Sequence, residues 1–120
     1  MSEIKISVIV PTFNSSNTIE RIIHSLYNQI FKDFEIIFID DSSSDDTVET
    51  IRETLENTNI KYQLLTNESN KGPGYSRNRG IENANGDYIV FIDSDDAVRE
   101  DHLSTLCSNI KDYDSVFIKG

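Results

Sequence analysis

Apolar runs and polar clusters alternate along the whole chain. Ile6 to Val10 is a short, mostly β-branched run closed by Pro11, the pattern of a strand buried on both faces. After the capping residues Asn14-Ser15-Ser16-Asn17, the apolar residues Ile19, Ile22, Ile23, Leu26, Tyr27 and Ile30 recur at helical spacing and predict a helix over residues 17–30. Phe34 to Ile39 predicts a second strand, halted by the polar stretch Asp40 to Asp46. The next helix starts near Asp45, with Val48, Ile51 and Leu55 on one face and acidic residues near its positive N-terminal end. Lys61 to Thr66 predicts a third strand, and Asn67 to Gly74 a loop. A helix over residues 75–83, the turn Asn85-Gly86 and a strand from Tyr88 to Ile92 come next. A last helix spans residues 100–110 with Leu103, Leu106 and Ile110, and Ser115 to Lys119 predicts a final strand.

Such alternation predicts an α/β three-layer sandwich, a mostly parallel central sheet covered by helices on both sides, joined by right-handed crossovers. In that architecture ligands bind beyond the carboxyl ends of the strands, where the strand order reverses. Three polar clusters, Pro11 to Asn14, Asp40 to Asp46 and Asp93 to Asp96, each follow directly on an apolar strand. All three therefore gather at one edge of the sheet.

Length and charge narrow the picture. At 120 residues the chain has material for one core and is read as a single domain, 1–120. Eleven basic residues against 21 acidic ones give a net charge of −10, so a nucleic acid or an anionic membrane would be repelled. With 37% hydrophobic residues, six Phe and five Tyr, the chain can form a core and is not an acidic disordered tail. Cys107 is the only cysteine, which excludes an internal disulfide and suits a reducing compartment. The N-terminus has no basic n-region, and nowhere do 18 apolar residues follow one another. These features predict a soluble, cytoplasmic protein without a membrane span, and they leave a homo-oligomer open.

Several clusters have the chemistry of a site. Asp93-Ser94-Asp95-Asp96 puts three carboxylates within four residues, a hard-oxygen set that suits Mg²⁺ or Mn²⁺ together with a phosphorylated ligand. The same residues would also suit a strand end followed by a helix cap. Asp40 and Asp41 could likewise cap a helix, or could accept from a nucleobase N–H or a ribose hydroxyl. Pro11-Thr12-Phe13-Asn14 offers hydrogen-bonding groups and an aromatic face able to stack on a base, though an ordinary loop would look similar. Lys71, Arg77 and Arg79 bring three positive charges into one segment, facing either phosphate or solvent. Neither a Gly-x-Gly-x-x-Gly fingerprint after the first strand nor a Walker A sequence occurs. His24 and His102 lack ligand spacing, and Cys107, set among Leu103, Leu106 and Ile110, reads as a small buried hydrophobe.

Four blocks in order carry a resemblance: Ser7-Val8-Ile9-Val10-Pro11-Thr12-Phe13-Asn14, Asp33 through Asp45, Asn70-Lys71-Gly72 with Ser76-Arg77-Asn78-Arg79-Gly80, and Gly86 through Asp96. The sequence resembles the nucleotide-sugar-binding part of family 2 glycosyltransferases, which have the GT-A fold, from residue 4 to about residue 105. The resemblance implies a Rossmann-like nucleotide-diphospho-sugar transferase fold. It also implies transfer of a sugar from a nucleotide-diphosphate sugar, UDP being the commonest donor nucleotide, to an acceptor hydroxyl. Such transfer, in polysaccharide or cell-envelope glycan assembly, would be metal-dependent and inverting, with a glycan, a lipid-linked glycan or a protein as acceptor.

By that resemblance Pro11, Thr12, Phe13 and Asn14 line the nucleotide pocket, Asp41 binds the base and Arg77 lies near the nucleotide. Asp93, Ser94 and Asp95 match the family's Asp-x-Asp motif, Asp93 on the ribose side and Asp95 on the metal, with Asp96 similar to a third acidic residue that often follows. Where an acidic residue often follows the Asn of the first block, Ser15 stands here. The general base and the acceptor-binding half are expected beyond Gly120, so the chain reads as a truncated donor-binding half, weakly active or inactive alone. Two other classes share part of the pattern. Asp40-x-Ser42-x-Ser44 fits a metal-dependent adhesion site, and clustered Asp residues with Lys119 fit a receiver-type signalling domain.

Overall fold

The computed structural model describes residues 5–108 and, by their backbone, 116–118. It contains β1 (Ile6–Thr12), α1 (Ile19–Tyr27), β2 (Phe34–Asp40), α2 (Thr47–Leu55), β3 (Lys61–Thr66), α3 (Pro73–Glu82), β4 (Tyr88–Phe91), α4 (His102–Ser108) and β5 (Val116–Ile118). The strands form one sheet in the order β3-β2-β1-β4-β5. β1 pairs in parallel with β2 and β4, β3 with β2, and β5 runs antiparallel to β4. From β1 the chain builds outward through β2 and β3, then returns to place β4 on the other side, so the switch point lies between β1 and β4.

Alternation within the strands divides the core in two. Ile6, Val8, Val10, Ile36, Phe38 and Val90 face one side, where they meet Ile19, Ile22, Ile23 and Leu26 of α1, Ile51 and Leu55 of α2, and Leu103 and Leu106 of α4. Ile9, Ile37, Ile39 and Ile89 face the other, with Ile81 of α3 and Ala84. α3 comes close to the sheet because Ser76 and Gly80 are its buried positions. A Cβ at Gly80 would lie 2.6 Å from Ile9 Cγ2 and 2.9 Å from Ile39 Cδ1. The three-layer α/β arrangement is thus the one predicted.

Boundaries differ from the sequence reading in instructive places. β1 continues through Pro11 to Thr12 rather than ending at Val10. Backbone groups of alternate residues in a parallel strand face the same neighbour, and Ile9 O accepts from Ile92 N on the β4 side. Pro11 faces that side too, but pairing with β4 stops at Phe91, so no ladder partner needs its missing N–H. α1 is shorter than expected: Tyr27 is 50% exposed and Ile30 62%, outside the buried stripe, and Ile30 N donates instead to Glu100 O. α2 starts at Thr47, two residues late, because Asp45 turns back to accept from Thr47 N. α3 starts early, with Pro73 in its first turn, where no N–H is needed. Ile110, Ser115 and Lys119 lie outside the described residues.

Candidate functional site

The loops after β1, β2 and β4 meet at the carboxyl edge of the sheet, as predicted. Their inner shell is a hydrogen-bond network that fixes the backbone. Asp40, 2% exposed, accepts from Thr12 Oγ1 at 2.8 Å, Ser43 Oγ at 2.6 Å and Ser43 N at 2.9 Å. Ser43 Oγ in turn accepts from Asn14 N, and Asn14 Oδ1 accepts from Ser44 N, both at 2.8 Å. Asn14 (φ 48°) and Ser42 (φ 62°) sit in the left-handed region, tolerable for residues whose side chains or turns bond locally. Two residues of Asp40-x-Ser42-x-Ser44 are thus engaged within the loops themselves, Asp40 by Thr12 and Ser43, and Ser44 by Asn14.

Asp41 is also buried, and its carboxylate organises the loop after β3. Oδ1 accepts from Lys71 N at 2.7 Å and Asn67 Nδ2 at 2.8 Å, and Oδ2 from Gly72 N at 2.9 Å. Gly72, whose N–H meets Asp41, has φ 92°, a conformation that suits glycine. Burial pushes the Asp41 carboxyl up, but bonds from Lys71, Asn67 and Gly72, with the Lys71 charge, outweigh it and hold the pKa below its ordinary value. Asp45 behaves alike. Burial pushes it up, and hydrogen bonds from the hydroxyls and amides of Thr47 and Ser16 bring it down to about 2.

The outer shell is open. Asp93, Asp95 and Asp96 are exposed, and each offers a carboxylate oxygen within 4.8 Å of the others. Among the described residues this is the one group of three or more such side chains so gathered, whereas Asp40 and Asp41 are turned inward. Asp93 and Asp95 border a cleft of about 430 Å³ together with Phe13, Ser15, Ser94 and Arg77. A second cleft of about 300 Å³ adjoins it, between Thr12, Phe13, Asp41, Gly72, Ser76 and Ser94. The two share Pro11, Phe13, Pro73 and Ser94. Phe13 is 51% exposed, a large aromatic left uncovered at their junction.

The three cations of the 71–79 segment separate. Arg77 lines the larger cleft and has no hydrogen-bond or ion-pair partner among the described residues. Arg79 donates to Thr66 O at 2.8 Å and Asn67 Oδ1 at 2.9 Å, and so braces the loop. Lys71 Nζ lies 5.9 Å from the centre of the Tyr75 ring. Pro11, Thr12, Phe13, Asn14, Asp41, Arg77, Asp93, Ser94 and Asp95 all border one or both clefts. Sequence reasoning did not assign roles to Asn67, Asn70, Ser43 and Ser76, which support the pocket. Short polar side chains in loops carry no periodic signal. A larger concavity, about 600 Å³ near Tyr27, Phe34 and Ile60, lies at the amino ends of β2 and β3, away from the acidic loop.

Oxygen donors of this kind, exposed and close together, fit a hard divalent cation such as Mg²⁺ or Mn²⁺ that keeps part of its water. The profile of "Glycosyl transferase family 2" matches residues 7–120. The chain belongs to this family. Its position among the glycosyltransferases agrees with the relatives. It is 43% identical over 115 residues to the GalNAc(5)-diNAcBac-PP-undecaprenol beta-1,3-glucosyltransferase of Campylobacter jejuni, covering 94% of this chain and 37% of that one. TarS of Staphylococcus aureus, a poly(ribitol-phosphate) beta-N-acetylglucosaminyltransferase, is 35% identical over 113 residues, covering 92% of this chain and 20% of TarS. The structure of its residues 1–349 with UDP superposes with a TM-score of 0.82 at 37% identity, over 89% of this chain and 32% of that one. A mannosyltransferase of Pyrobaculum calidifontis in complex with GDP-Man and Mn²⁺ superposes with a TM-score of 0.74 at 26% identity, over 79% of this chain and 28% of that one.

This glycosyltransferase-family chain therefore has the GT-A fold of its neighbours and spans about a third of the first relative's length. Membership displaces the adhesion and receiver alternatives, and the strand order β3-β2-β1-β4-β5 with an antiparallel edge gives a physical reason. A receiver-type domain needs its acidic pair after the first strand, where Pro11 to Asn14 stand here. Among the described residues no helix is long and apolar enough to cross a membrane.

Proposed function

We propose that residues 1–120 are the donor-binding half of a cytoplasmic, metal-dependent, inverting glycosyltransferase that uses a UDP-sugar. The observation that carries this reading is the pair of adjoining clefts at the β1–β4 switch point, one bordered by Asp41 and the other by Asp93 and Asp95, with the Phe13 ring between them. Phe13 offers its face for stacking on the base. Asp41, with three acceptor positions already engaged, keeps capacity for one N–H donor of the base. Arg77, unpaired and facing the acidic cleft, is suited to diphosphate oxygens.

Asp93 and Asp95 would hold the divalent ion, with Asp96 beside them, and the bound ion would neutralise charge on the departing diphosphate. In the transfer itself the acceptor hydroxyl forms a bond to the anomeric carbon as the bond to the diphosphate oxygen breaks, and its proton passes to a general base, assigned in this reading to the acceptor side. A β-linkage, as in the names of the C. jejuni and S. aureus relatives, is reached by inversion from an α-configured donor. The acceptor, a glycan, lipid-linked glycan or protein, would be bound by residues outside this half.

Calorimetric titration with a panel of nucleoside diphosphates, with and without Mn²⁺, tests the reading. UDP should bind more tightly with Mn²⁺, and Asp95→Ala should lose roughly tenfold or more of that affinity while leaving the fold intact. A folded parent chain that binds no nucleotide would contradict it.

A further inference from the structure

One buried hydroxyl touches both halves of the cleft. Ser15 is 7% exposed, and its Oγ accepts from Phe13 N at 3.2 Å in the loop after β1. The same oxygen lies 2.8 Å from Ser94 Oγ, between Asp93 and Asp95, so one hydroxyl of the pair donates to the other. Ser15 is itself held from behind, its N donating to Thr47 Oγ1 at 2.8 Å, and Thr47 Oγ1 in turn donates to Asp45. A chain of bonds thus runs Asp45–Thr47–Ser15–Ser94 from the start of α2 to the acidic loop. Apart from this bridge, Arg21 Nη2 donates to Asp95 O at 3.3 Å, a long bond from an exposed side chain. Among the described residues the acidic loop has otherwise only its own turn, Asp96 N to Asp93 O.

We infer that Ser15 is a positioning residue that couples the nucleotide loop to the metal loop, so that divalent cation and nucleoside diphosphate strengthen each other's binding through the Ser15–Ser94 bridge. The inference rests on the donor-site reading above. Its physical basis is that ordering Phe13 by a bound base also orders Ser15, and through it Ser94 and the two flanking carboxylates. Coupling of this kind is reciprocal: whatever factor Mn²⁺ adds to UDP affinity, UDP adds to Mn²⁺ affinity.

The test is the factor by which Mn²⁺ tightens UDP binding, measured by calorimetry in the parent, Ser15→Ala, Ser94→Ala and the double variant, with urea unfolding to establish that each is folded. Each single substitution should shrink that factor about fivefold, the worth of one neutral hydrogen bond, and the double should shrink it no further. Ser94→Ala breaks the bridge from its solvent side, so the result does not hang on the buried substitution. Equal weakening of UDP binding with and without Mn²⁺ would mean a merely structural role and would overturn the coupling. So would an unchanged factor in both folded single variants, with the parent still binding UDP. A parent that binds no UDP would instead remove the donor-site reading, and the coupling with it.

Discussion

Asp41 illustrates how one side chain can serve structure and recognition together. Its two oxygens take the backbone amides of Lys71 and Gly72 and the amide of Asn67, so a single buried anion fixes the wall of the smaller cleft. Asp41→Ala would leave these donors without partners as well as removing charge-assisted bonds. We expect a loss of roughly 3 kcal/mol in urea unfolding. An unchanged midpoint would mean that the 67–72 loop is held by something else. The acidic character of this position was legible in the sequence, and so was its place at a strand end. Its partners were not, because Asn67, Lys71 and Gly72 lie more than 25 residues away and no periodicity links them to Asp41. Asp93 and Asp95 are the opposite case: two residues apart in sequence, they could be read directly as a candidate cation-binding pair.

At the scale of elements, the sheet was readable and the helix ends were not. A strand buried on both faces announces itself by a continuous apolar run, as β2 does, and the edge strand β3, exposed or half-buried along its length, still has the expected limits. Helix ends depend on tertiary partners: α1 stops before Ile30 because that residue's N–H bonds to Glu100 O, a partner no local pattern reveals. Glycines mark where elements approach most closely. At Gly80 a Cβ would meet side-chain atoms, Ile9 Cγ2 at 2.6 Å and Ile39 Cδ1 at 2.9 Å, which must repack within the core, and alanine there gains helix propensity. At Gly86 a Cβ would fall 2.7 Å from Ser7 N and 2.8 Å from Ile6 C, main-chain atoms that cannot move without disturbing β1. Gly86 N also donates to Ser7 Oγ, which donates to the buried Glu35. Gly86→Ala should therefore cost more than Gly80→Ala, the latter about 1–3 kcal/mol, when both are compared by thermal or urea unfolding. The reverse order would show that the α3 contact is the tighter of the two.

For the whole molecule, the net charge of −10 acquires a location. Asp40 and Asp41 at the end of β2 are turned inward and satisfied by hydrogen bonds, while Asp93 and Asp95 after β4 stand open at the cleft that Arg77 also lines. An anionic ligand could approach this otherwise acidic surface only where a cation or Arg77 offsets the carboxylates. In the proposed donor site, therefore, nucleotide and metal share the β1–β4 edge of the sheet. The most direct measurement is paramagnetic broadening of the backbone amide spectrum of the ¹⁵N-labelled chain by substoichiometric Mn²⁺ in the presence of UDP. Broadening centred on residues 93–96 and extending to 12–15 and Arg77 is the predicted result. Broadening centred instead on the larger concavity near Tyr27 and Ile60, or spread evenly over the acidic surface, would contradict it.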